Sequence, residues 1–130
     1  MRRQSERGAV AIEFAIVLPV LLILLIGMIE FGRIFSAQII LTNAAREGAR
    51  TMAITDDLNR AESAVLTTAA GLVPSLLDSD ISVSADCASL DPAFPTAKFS
   101  SVVISYSVPP LTGIVGPIDV GARGVSRCEK

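Results

Sequence analysis

Glu13 is the residue whose position in this chain asks for a chemical explanation. It lies in a run of apolar and small residues, 9–29, that is otherwise interrupted only by Pro19. A carboxylate near the middle of a membrane costs on the order of 2 to 3 kcal/mol, and less when it is one or two turns from the surface. Two readings follow: Glu13 sits at headgroup level and snorkels, or it is paired and functional. The other groups capable of chemistry are Cys87 and Cys128, the acidic residues Asp78, Asp80, Asp86 and Asp91, and the basic pair Arg46 and Arg50. The chain has no histidine, which removes the commonest general base and the commonest metal ligand. It also lacks a C-x-x-C pair, a phosphate-binding glycine loop and an H-E-x-x-H motif, so no enzymatic activity and no cofactor are expected. The four aspartates lack the loop order of an EF-hand, and solvated turn positions account for them more simply than a Ca²⁺ site.

The element that must position Glu13 is a long helix. At about 1.5 Å per residue, residues 9–29 reach roughly 30 Å, the thickness of a bilayer core. Arg2, Arg3 and Arg7 precede this run and Glu30 and Arg33 close it, as charged groups do at the ends of a membrane span. The basic N-terminus is expected in the cytoplasm and the body outside, making a single-pass protein of the cytoplasmic membrane. Pro19 removes one backbone donor inside the span and is expected to bend it, which neighbouring helices can accommodate. A cleavable secretory signal competes for the same N-terminus, but it needs a shorter apolar core and a clearer small-residue site than MIEFGRIFSAQ offers.

Beyond Arg33 the helix is expected to continue in amphipathic form to about residue 54. Ile34, Ala37, Leu41, Ala44, Ala45, Gly48, Ala49 and Met52 recur at steps of three and four, while Gln38, Asn43, Arg46, Glu47 and Arg50 fall mostly on other faces. The stripe ends in Ala and Gly, so whatever packs there can approach closely; Gly27 and Gly32 offer weaker candidates for helix contact. Arg46 and Arg50 share a face, either as a solvated surface or as a specific contact. Asp56 or Asp57 can cap a second helix over 57–72, which Gly71 and Pro74 end.

Alternation then replaces helical rhythm. Ile81, Val83 and Ala85 mark a short strand, Val102, Ile104, Tyr106 and Val108 the clearest one, and Ile118, Val120 and Ala122 a third, weakened by Gly121 and Gly124. A loop holding Cys87, Pro92 and Pro95 separates the first two. The fold class is α+β: a long N-terminal helix, a second helix and a small antiparallel sheet packed on one of them, with its serine-rich face in water. The organisation is a leader over 1–8, a span over 9–29, an amphipathic continuation over 30–54 and an exported domain over 55–130.

Half the residues are apolar (51%) and 18% charged, which suits one span plus one small domain. The net charge is −2, and without the first eight residues eight basic and twelve acidic side chains remain, so nucleic acid is not an expected partner. In an oxidising compartment Cys87 and Cys128 can pair, and a loop of that length stabilises by about 4 kcal/mol in the chain-entropy model. Two free buried thiols are the other reading.

Several of these residues together carry a resemblance. Gly8 follows the leader MRRQSER and lies five positions before Glu13, which is followed by Phe14; this resembles the processing site of type IV pilins. Adding Arg7-Gly8-Ala9, Pro19, Glu30-Phe31-Gly32-Arg33 and the run Thr42-Asn43-Ala44-Ala45-Arg46-Glu47-Gly48-Ala49-Arg50, residues 7–50 resemble the TadE-like family of pilus-assembly proteins. The family comprises minor pilins, or pseudopilins, of the bacterial tight-adherence (Flp) pilus. The resemblance implies a type IV pilin-like fold and cleavage by a prepilin peptidase between Gly8 and Ala9. It also implies pilin-like subunits and inner-membrane assembly proteins as partners, beside the lipid bilayer. Major Flp pilins usually carry Glu-Tyr at the motif and have little beyond the helix, so Glu13-Phe14 and the chain length point to a minor subunit. By analogy with pilins, Glu13 pairs with the new amino group of Ala9 on a neighbour, which lowers the cost of both charges in lipid. An uncleaved membrane-anchored adaptor of a secretion or pilus-assembly machine is the alternative, and a body released by signal peptidase is a third possibility.

Overall fold

The computed structural model of the chain describes residues 3–84, 87, 90–91, 94–113 and 116–128, with side chains described over 8–84, 87, 98–113 and 116–128. Arg2, Ala85, Asp86 and Pro92 lie outside the described residues. The elements are helix α1 (Arg3–Thr55), helix α2 (Leu58–Thr68), a 3₁₀ turn (Asp78–Asp80), and strands β1 (Ile81–Ser84), β2 (Leu90–Asp91), β3 (Phe94–Val108) and β4 (Ile118–Arg127). They form two compact units, Met1–Arg33 and Ile34–Lys130.

The first unit is helix alone, and α1 continues through Pro19 without a break. Over residues 8–33 every side chain is exposed except Glu30 and Arg33, which are partly buried and form an ion pair at 3.8 Å. Its most apolar 18-residue window has a mean hydropathy of 2.9 with no residue buried. A soluble core helix of that composition would be covered; this one is long and apolar enough to cross a membrane.

In the second unit, residues 34–55 of α1 show why their sequence alternates as it does. Ala37, Leu41, Ala44, Ala45, Gly48, Ala49 and Met52 are buried, whereas Asn43, Arg46, Glu47 and Arg50 are exposed. Asp56 ends the helix in the left-handed region, φ 53°, with its N–H donating to the Met52 carbonyl at 2.9 Å. Asp57 starts the next one: its Oδ1 accepts the Arg60 N–H at 3.2 Å, a cap worth about 1 kcal/mol. Each aspartate has its own task.

Helix α2 is shorter than its apolar rhythm predicts. It stops at Thr68, not at residue 72. Thr67 and Thr68 turn their hydroxyls back onto the carbonyls of Ser63 and Ala64, and the Ala70 N–H shifts to the Thr67 carbonyl, tightening the last turn. Ala69 and Leu72 are nevertheless buried beside Ala61 and Val65, so the periodicity marks core positions past the end of the helix.

The sheet is antiparallel and has four strands where three were expected. β3 is its centre: Ile81–Ser84 pairs with residues 104–101, and residues 118–127 of β4 pair with residues 108–99. β2 pairs with the first part of β3, Leu90 opposite Lys98 and Asp91 opposite Phe94. Pro95, expected in a loop, lies within β3. It sits near the strand's start, before pairing with β4 begins at Phe99, where a missing N–H takes no bond from that ladder. Val102, Ile104, Tyr106 and Val108 face inward and are buried, while Ser82, Ser84, Ser105 and Ser107 are exposed. The core joins Leu41, Ala44, Ala45 and Ala49 of α1 to Val65 and Ala69 of α2 and to Val102 and Ile104 of β3. The sheet therefore packs on both helical segments. A disulfide between Cys87, just after β1, and Cys128, just after β4, spans 41 positions, with its Cα atoms 5.8 Å apart. The pairing of the two thiols is thereby decided.

Candidate functional site

Gly8, Ala9, Glu13 and Phe14 lie on the exposed first unit, within α1. Ala9 and Glu13 are four residues apart, so they share a helix face one turn from each other, and Phe14, 62% exposed, stands on the adjoining face. A carboxylate presented this way on an apolar helix is available to a group on another chain. Gly27 and Gly32 have open space where a side chain would project, so none of the described residues demands glycine there. Pro19 is also exposed.

The downstream motif has a different setting. In Asn43-Ala44-Ala45-Arg46-Glu47-Gly48-Ala49-Arg50 the small residues face inward and the polar residues face outward. A side chain at Gly48 would run into Val65 Cγ2 and come within 3.4 Å of the Ala61 carbonyl oxygen and of Val102 Cγ2. A side chain at Gly124 of β4 would overlap the backbone of Ala45 and Arg46. The close approach foreseen for this stripe is therefore made by the chain's own α2 and β4.

Three side chains whose hydrogen bonds were not expected complete the join. Ser100 is fully buried and its hydroxyl donates to the Ala49 carbonyl at 2.7 Å. Gln38 Nε2 donates to the Gly121 carbonyl at 2.8 Å, and the Tyr106 hydroxyl to the Pro74 carbonyl at 2.7 Å. The signal for Ser100 was present: it is in phase with Val102 and Ile104, and a polar residue on an inward phase needs a buried partner. Glycines that weakened the case for β4 mark the place where it must touch a helix.

The remaining polar groups are turn and surface groups. The Leu77 N–H donates to Asp80 Oδ2 at 3.1 Å, so this aspartate closes its own 3₁₀ turn. A shallow open depression lies between α1 and α2, with Glu47, Asn59, Arg60, Ser63, Ala64 and Thr67 among the residues lining it, and Arg60 there meets Asp57 at 3.6 Å.

An exposed apolar helix of membrane-spanning length, continued into a small disulfide-bonded α+β unit, is the build of a membrane-anchored protein with its span near the N-terminus. The family model described as TadE-like protein matches residues 8–50, so this N-terminal segment is similar to that family. Neither the curated proteins nor the solved structures gave a significant match to the chain. The matched segment joins the exposed apolar helix, with Glu13, to the buried small-residue stripe.

Proposed function

We propose that this chain is a minor pilin or pseudopilin that takes part in assembling a tight-adherence pilus and has no enzymatic activity of its own. The observation that carries the reading is the family match over residues 8–50, which covers the exposed apolar helix and its single carboxylate. In this reading a prepilin peptidase cuts between Gly8 and Ala9, and the N-terminus faces the cytoplasm with the body outside. Glu13 then pairs with the ammonium of Ala9 on a neighbouring pilin-like subunit. Two charges that are each costly in lipid cost less together, and cleavage is what creates the second of them.

Gly8→Leu tests the reading through its first step. The substitution meets no neighbour among the described residues, so folding and insertion are expected to be unchanged. Maturation is expected to stop, leaving a full-length band where the unaltered chain gives a shorter one on electrophoresis of membrane fractions from its host. Equal processing of the two chains would instead favour an uncleaved anchor.

A further inference from the structure

Two uncharged stretches of the second unit come together at one of its ends, the end where the chain arrives from the apolar helix. α1 and β4 run side by side in the same direction: Gln38 bonds Gly121, while Ala45, seven residues on, meets Gly124. The start of β4 and the end of β3, paired as Ile118 with Val108, therefore lie at the end of the unit where Ile34 enters. The connection after α2 reaches the same end, because Gly71 faces Ile40 and the Pro74 carbonyl takes the Tyr106 hydroxyl. Residues 70–77 and 109–118 contain no charged side chain.

Large apolar side chains stand exposed there: Val73 at 80%, Leu77 at 60%, Leu111 at 58% and Ile118 at 37%. Leu72 and Leu76 are buried, so their neighbours Val73 and Leu77 face out of the core, while Ile118 is exposed where β4 begins, opposite Val108. Charge returns immediately afterwards at Asp78 and Asp119, both exposed. At the opposite end Ile54 and Leu58 are also exposed, but Asp56, Asp57 and Arg60 surround them in sequence.

We propose that Val73, Leu77, Leu111 and Ile118 form a rim that seats on the bilayer, entering the boundary between headgroups and acyl chains. The occupant is lipid because only a few residues of chain separate Ile34, at this end of the unit, from an apolar helix of bilayer length, which tethers these apolar side chains within reach of the interface. The proposal rests on the reading of residues 9–29 as a span.

The chain has no tryptophan, so single tryptophans report depth without background. Val73→Trp and Leu111→Trp test the rim, Ile54→Trp is the control at the far end, and Leu22→Trp is the control in the span. Each full chain is reconstituted in vesicles of phosphatidylethanolamine and phosphatidylglycerol, with either plain or brominated acyl chains. Emission from Val73→Trp and Leu111→Trp is expected to shift to the blue and to be quenched by brominated lipid, with Ile54→Trp unaffected and Leu22→Trp quenched. The rim would be overturned if Val73→Trp and Leu111→Trp behaved like Ile54→Trp while Leu22→Trp remained quenched. Loss of quenching at Leu22→Trp would overturn the span, and the rim with it.

Discussion

A chain carrying Gly124→Val is expected to lose about 3 kcal/mol of stability or more, the upper end of what overpacking costs in a filled core. The atoms a side chain would meet are the backbone of Ala45 and Arg46, which have no rotamer to move into. To admit it, β4 must lift from α1, and that opens a core in which Ala44, Ala45 and Ala49 are fully buried. Ala45→Gly should give no rescue, because the obstacle is the helix backbone and not the Ala45 methyl. Gly121→Ala is the matched control: its new methyl meets only the Ile104 carbonyl oxygen at 3.6 Å, an ordinary contact. Thermal unfolding of the full chain in detergent, followed by the fluorescence of Tyr106, reads the difference. Near-equal midpoints for the two variants would show that the approach of β4 to α1 is loose enough to absorb a side chain.

Glu13→Ala and Glu13→Gln are expected to leave insertion intact and abolish pilus assembly. Removing the carboxylate takes away a cost of about 2 to 3 kcal/mol at most, so the isolated helix should enter the membrane at least as readily. In the proposed assembly, however, each variant leaves the Ala9 ammonium of a neighbour buried without its counter-charge, and breaking such a pair costs about 3 to 5 kcal/mol. Glutamine keeps the size and polarity of the side chain, so a defect shared by both variants isolates the charge. Alkali-resistant membrane association and counts of surface pili measure the two halves of this expectation. Wild-type piliation in both variants would remove the role assigned to Glu13.

Burial by alternation was the part of this fold most legible in the sequence. The stripe from Ala37 to Met52 and the inward phase of Val102, Ile104, Tyr106 and Val108 could be read directly, because each sets apolar against polar residues at a fixed period. Ends were harder to place. The rhythm through Ala69 and Leu72 continued past the point where the Thr67 and Thr68 hydroxyls let the α2 ladder tighten, since a buried residue in a turn looks like a buried residue in a helix. Pro95 suggested a loop because a proline shows that a donor is missing, not whether a neighbouring strand needs it. β2 has only two residues, too few for any period to show.

The candidate site divides in the same way. Glu13 stood out because a lone carboxylate in an apolar run is costly wherever the helix lies. The role of Gly124 could not be read, since a glycine that admits a neighbour and a glycine facing open space, such as Gly27, are the same letter. Only the partner distinguishes them, and the partner of Gly124 is distant in the chain. The sequence did suggest that the small residues of the 43–50 motif permit close packing; it could not say that the chain's own strand and second helix fill that space.

The central claim is that the exposed helix is a processed pilin-type segment, and one measurement addresses it most directly: the intact mass and N-terminal sequence of the protein extracted from the membranes of its own host. A mature chain beginning at Ala9 is the predicted result, with the new amino group one helical turn from Glu13. A chain that still begins at Met1 would contradict it, leaving a membrane anchor whose Glu13 carboxylate has no new amine to meet.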